Sequence, residues 1–200
     1  MIDARKQAVS DPQPDPQLTR LLDAWRSDGD IAARDEVMSL VYDQVRRLAA
    51  RELGRQSGPR ALTLRPTDLA HELFLRLLGS DSGWENRRHF YNAAIQAMRQ
   101  ILIDTARQRH SEKRGGGGVH LTLSAAEDVA TAEHPGEAVV EALDALNELD
   151  PRKAEVAQMR YLLGLEHSEI AALVNVSVST VERDLRLARA WLQNYLTDDS

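Results

Sequence analysis

Residues 165–192 read LEHSEIAALVNVSVSTVERDLRLARAWL. Ser168 is placed to cap a short helix, with Glu169 near its positive end. Ile170, Leu173 and Val174 form the buried stripe of that helix, and Ala171 is small where a second helix must cross closely. Asn175 falls at the turn, and asparagine is one of the few non-glycine residues that tolerates a left-handed backbone. Ser177 caps a second helix whose apolar positions, Val178, Val181, Leu185, Ala188 and Leu192, repeat at helical spacing. Ser179, Thr180, Glu182, Arg183 and Arg186 are left facing outward from its first turns. Caps, small residue, turn residue and both stripes agree in register, so the segment predicts a helix-turn-helix. Such a motif lays its second helix in the major groove of DNA.

The rest of the chain fits an all-helical protein. Aromatic residues make up 4% of the 200, and Ala, Leu, Arg and Glu dominate over β-branched runs. There is no cysteine, hence no disulfide framework, thiolate metal site or cysteine nucleophile. No apolar run reaches the roughly 18 residues of a membrane span, and the N-terminus has no apolar leader. The expectation is a cytoplasmic protein without membrane insertion.

Upstream, residues 1–16 with Pro12, Pro14 and Pro16 read as a disordered tail. Leu18, Leu21, Leu22 and Trp25 mark a first helix ending near Gly29. Asp30 caps a second helix carrying Val37, Leu40, Val41, Val45, Leu48 and Leu53. Pro66-Thr67-Asp68 opens a third, with Leu69, Leu73, Phe74, Leu77 and Leu78 as its stripe. A longer fourth runs from about Arg87 to Arg109, with Ala93, Ala94, Ala97, Met98, Ile101, Leu102 and Ala106 inward. Four such helices close a small bundle over 17–110. Gly115 to Gly118 make a hinge, and 111–136 a glycine-rich, acidic linker with a short extended run at 119–123. A second domain follows over 137–196: a helix at about 137–148, another from Pro151 to Leu163 capped by Asp150, then the helix-turn-helix. The expected fold is therefore all-α, two small helical domains joined by a flexible linker.

Net charge is −6, which by itself argues against a polyanionic partner. The distribution of that charge argues the other way. Residues 119–150 hold eight acids and no Lys or Arg, and without that block the chain carries +2. Residues 84–114 carry a local +4 and interleave Trp84, Phe90 and Tyr91 with Arg87, Arg88, Arg99, Arg107, Arg109, Lys113 and Arg114. Aromatic faces stack on unpaired bases while cations hold the backbone, so the mixture suits opening or single-stranded DNA. The same pattern also describes a helix with aromatic core residues and a solvated cationic face.

Three stretches then resemble one family. Residues 62–77, LTLRPTDLAHELFLRL, are similar to the core-binding segment of bacterial sigma factors of the extracytoplasmic-function (ECF) group. Trp84-Glu85-Asn86-Arg87-Arg88-His89-Phe90-Tyr91 through Arg107, with Lys113-Arg114-Gly115-Gly116-Gly117 behind it, resembles one branch of that group. The helix-turn-helix resembles the group's second conserved domain, and the resemblance covers about 17–110 and 137–196. The chain departs from the common pattern at His71, where many members have glutamine, and at Asn175, where glycine is usual. The resemblance implies a subunit that binds core RNA polymerase and directs it to promoter DNA. Asp68, His71, Glu72 and Arg76 would dock on the clamp helices of the largest subunit. Trp84, Phe90, Tyr91, Asn92, Gln96, Arg99 and Arg107 would face and help open the −10 element. Ser179, Thr180, Arg183 and Arg186 would read the −35 element. An anti-sigma protein or other regulator is a further partner that the resemblance allows, and no cofactor is implied.

Enzymatic patterns fail. The six histidines (71, 89, 110, 120, 134, 167) have no metal-ligand spacing, the glycine run is not followed by Lys-Ser/Thr, and no Gly-x-Ser-x-Gly occurs. The rival readings are a regulator that binds an operator without joining the polymerase, and a helical interaction protein whose basic segment binds an acidic partner. The 62–77 segment separates the first rival from the sigma reading, because an operator binder has no use for a polymerase-docking face. Salt-dependent DNA binding separates the second.

Overall fold

The computed structural model describes residues 16–55, 66–79, 84, 86–112 and 136–198, with the side chains at 16, 47–55, 66, 67, 106, 108–112, 136 and 198 outside the description. The expected tail, the 56–65 loop, the glycine hinge, the extended run at 119–123 and the inward roles of Leu48, Leu53 and Ala106 therefore lie outside the described residues.

Eight helices make up the described fold: α1 Pro16–Asp28, α2 Ile31–Arg55, α3 Pro66–Gly79, α4 Arg87–Glu112, α5 Gly136–Leu149, α6 Pro151–Leu163, α7 His167–Val174 and α8 Val178–Asp198. Their starts and stops follow local chemistry. Gly29, at φ 63°, ends α1, and the Asp30 carboxylate accepts from the Ala32 and Ala33 amides at 2.8 and 3.2 Å to cap α2. Asp150 caps α6 by accepting from the Lys153 amide at 3.1 Å, with Pro151 in the first turn, where no amide partner is missed. Lys153 also holds the Asp150 carboxyl below the usual carboxylate range. Gly164 closes α6 in the left-handed region, its N–H donating to the Arg160 carbonyl while that of Leu165 reaches Met159.

α1 to α4 pack as a bundle, each against its sequence neighbour and α1 also against α4. Val37, Met38, Val41 and Val45 of α2 and Leu69, Ala70, Leu73 and Leu77 of α3 supply much of its core. Two expected core leucines do not join it. Leu40 and Leu78 are exposed because each lies roughly a third of a turn off its helix's buried stripe, at about 100° per residue.

α5, α6 and α8 pack together, with α7 laid against α6 and α8. α4 in turn packs against α5 and α6, so apolar contact runs from the first four helices into the last four.

Candidate functional site

Three faces correspond to the sequence-predicted sites. On α3, Asp68 and His71 are exposed and Glu72 is half-buried, on the side away from Leu69, Leu73 and Leu77. Leu75 stands almost opposite that buried stripe, 49% exposed among these polar residues. Sequence reading missed it, and its signal was a leucine out of register with its own helix. Arg76 sits at the edge of the face. Its guanidinium donates to Glu72 at 3.0 Å and to Asp104 of α4 at 2.8 Å, a tie between helices. Asp104 raises the Arg76 value further, and Arg76 in turn holds the Asp104 carboxyl below its usual range.

α4 divides into two sides. Trp84, just before it, and Phe90 and Tyr91 within it are buried, and they pack edge-on: Trp25 to Trp84 at 4.7 Å, Trp84 to Phe90 at 4.9 Å and Phe90 to Tyr91 at 5.5 Å between ring centres. This corrects the expectation that these rings face opening DNA. Their interleaving with arginine reflects an amphipathic helix whose aromatic side is the bundle core. Asn92 and Gln96 lie exposed, and by helical spacing they share the side that carries Arg88, Arg99 and Arg107. That polar side borders α5 and α6. There Arg88 makes a bidentate pair with Glu155, both contacts 2.6 Å, and Arg99 pairs with Asp144 and donates to the Gln158 side chain at 3.1 Å. Farther along, Arg107 reaches Glu137 at 3.3 Å. Arg99 is only 12% exposed at its side chain, and Glu155 raises the Arg88 value further.

α7 and α8 are two helices joined by a short turn at 175–177. α7 starts two residues earlier than Ser168 as cap would have it. Glu166 takes the cap position, and the Glu169 carboxylate three residues on accepts its backbone N–H at 2.8 Å. Asn175 adopts φ 55°, ψ 52°, the left-handed turn expected of it. The Ser177 hydroxyl accepts from the Thr180 amide at 3.2 Å and bonds the Ser179 and Thr180 hydroxyls at 2.9 and 2.8 Å. Val181, Leu185, Ala188 and Leu192 turn inward, while Ser179, Glu182, Arg183 and Arg186 are exposed and Thr180 is half-buried. Between the two arginines, Asp184 is 1% exposed and takes two contacts from the Arg152 guanidinium of α6, at 2.8 and 3.3 Å. That inward acid was not foreseen, since its place in the sequence looks like one more outward charge.

A family model described as ECF sigma factor matches residues 15–198, spanning all eight helices. The chain belongs to the ECF sigma factor family. Its role is therefore that of a sigma factor directing transcription by RNA polymerase, with core polymerase and promoter DNA as partners. This decides against the operator-binding and interaction-protein readings, and sigma factors are transcription factors rather than enzymes. No curated protein and no solved structure matches the chain. Among the described residues, no helix of this sigma factor is long and apolar enough to cross a membrane, and no group of three His, Cys, Asp or Glu side chains is placed to hold a metal ion.

Proposed function

We propose that this sigma factor divides promoter recognition between α8 and α4 and docks on the polymerase through α3. The observation that carries the reading is the first two turns of α8. Ser179, Arg183 and Arg186 stand exposed on the second helix of the turn, with the opposite side fixed in the core. This is the arrangement a major-groove reader needs. Ser179, Thr180, Arg183 and Arg186 read the −35 element, with Thr180 also serving the cap. Asn92 and Gln96 meet the −10 element from the polar side of α4, and Arg99 and Arg107 on that same side add cationic contacts once released from their acids. Asp68, His71, Glu72 and Leu75 form the patch that meets the clamp helices of the largest subunit. In that patch Leu75 supplies the apolar centre and the polar residues its rim, the usual anatomy of a protein interface. Arg76 holds α3 against α4 and acts on docking through Glu72.

Run-off transcription with core RNA polymerase tests this reading. The full chain should give promoter-specific transcripts that core alone does not. Glu72→Ala combined with Leu75→Ala should weaken core binding about tenfold in a fluorescence titration, in line with loss of a central interface contact. Thermal stability should barely move, because exposed substitutions usually stay within about 0.5 kcal/mol. Unchanged affinity for core would remove the α3 patch from the mechanism.

A further inference from the structure

Two acids stand beside the exposed arginines of α8, and the fold treats them oppositely. Asp184 is turned inward and held by the Arg152 guanidinium at 2.8 and 3.3 Å. Glu182 is turned outward, its side chain 54% exposed. At about 100° per residue, Ser179, Glu182, Arg183 and Arg186 share an arc of about 100°, so this carboxylate lies on the same face as the two arginines. Arg186 follows Glu182 by four residues, the spacing and order at which an acid and a cation on one helix pair most readily. They do not pair. Among the described residues, the ion-pair contact of Glu182 is with the His167 ring of α7, Oε1 to Nδ1 at 3.8 Å, beyond hydrogen-bond length. Arg186 is thereby left open, and the Glu182 carboxylate keeps its acceptor sites toward solvent.

A carboxylate in this place has a cost. On a surface that meets a polyanion, it is repelled by every phosphate within the screening length of about 8 Å. In the major groove only a hydrogen-bond donor offsets that loss, because an ionised carboxylate accepts and never donates. Guanine presents O6 and N7, and thymine O4, all of them acceptors. Adenine presents its N6 amine beside the N7 acceptor, a combination that suits an amide better than a carboxylate. Cytosine presents the N4 amine. We propose that Glu182 is a specificity-determining residue of the −35 reader, accepting from the N4 amine of one cytosine and disfavouring the other three bases at that position. This rests on the reading of α8 as the −35 helix. Glu182 and Arg183 then select opposite kinds of base edge. The guanidinium takes the acceptors of a guanine, and the carboxylate takes the donor of a cytosine.

The test selects binding sites with the full chain assembled on core RNA polymerase, from duplexes randomised over the upstream element. The parent should prefer cytosine at one position about tenfold over any other base. Glu182→Gln, nearly equal in size, should lose cytosine at that position and gain adenine, whose N6 and N7 an amide meets with two hydrogen bonds. Glu182→Ala should flatten that position and leave the rest of the selected sequence as it was. Arg183→Ala, run beside them, should relax a different position. Circular dichroism checks folding, and the glutamine variant decides alone if the alanine variant is unfolded. Tighter binding of Glu182→Ala to all sequences alike, with no position changed, would mean that the acid only repels phosphate, and overturns the proposal. A glutamine variant that keeps the parent's cytosine overturns it too. If Arg183→Ala relaxes its position while both Glu182 variants select the parent's sequence, Glu182 is not a reader and α8 still is. If no variant shifts any position, α8 itself is not the −35 helix.

Discussion

α4 and α8 are both long helices with outward arginines, and they hold them differently. On α4, Arg88, Arg99 and Arg107 are each paired with an acid from another helix. On α8, Arg183 and Arg186 are exposed and make no ion pair among the described residues, while the acid between them, Asp184, is turned inward and paired. A phosphate approaching α8 meets cations ready to receive it; one approaching α4 has to exchange with carboxylates already in place. Positive charge in a sequence therefore does not by itself locate a polyanion site. What matters is whether the fold brings a competing carboxylate to the same guanidinium.

The contrast can be broken most severely from the α4 side. Phe90 is fully buried between Trp84 and Tyr91, so Phe90→Ala should cost about 3–5 kcal/mol in urea or thermal unfolding. If Phe90 were a stacking residue for unpaired bases, the same change would leave stability intact and impair only promoter opening. On α8 the substitutions should act on recognition and not on folding. Arg183→Ala should cost about 1–3 kcal/mol of discrimination at one −35 position, measured by selection from a promoter library. Arg186→Ala should weaken all sequences alike and lower the salt slope by about one, as loss of a phosphate contact does. If the two variants exchange behaviours, the helix enters the groove in the other orientation.

The smallest effect sharpens the contrast through pH. Asp104 is held below its ordinary value chiefly by Arg76, so its contribution to stability is present above the unfolded carboxylate value of about 3.9. That contribution fades as pH falls through the depressed folded value. Asp104→Asn should lower stability by less than about 1 kcal/mol at pH 7, and the difference from the parent should shrink in urea melts well below pH 4. A difference that stays constant down to acid pH would mean that the Arg76 tie is not what the substitution removes.

Much of the fold was legible because its signals are local. Asp30, Asp150, Ser177 and Asn175 all do what their side chains favour at helix ends and turns, and four of the five residues of the α8 stripe are buried, with Val178 half-buried at its start. The misses share a different cause. Leu40, Leu75 and Leu78 were placed or passed over by hydrophobicity, whereas their exposure depends on angular position around helices whose packed side is set by neighbours. Trp84, Phe90 and Tyr91 carry the same letters in a core as in a base-stacking surface. The Arg76–Asp104, Arg99–Asp144 and Arg152–Asp184 pairs join residues 28 to 45 positions apart. Spacing along one helix says nothing of such partners, so the outer polar faces were the least readable part of the candidate site.

The Arg152–Asp184 pair has a consequence for how this protein's specificity can change over time. Because the carboxylate must point at α6, it indexes the rotation of α8 from the inside, like a key in a slot. Turning the helix by one residue, about 100°, would bury a neighbouring arginine and strand the acid. The azimuth of positions 179, 183 and 186 is thus set by a contact that involves none of them. Those three positions can be exchanged for other side chains while their aim is preserved. On the proposed reading of α8, a lineage carrying this scaffold would change the sequence it reads by a few surface substitutions, with the aim of those positions already set.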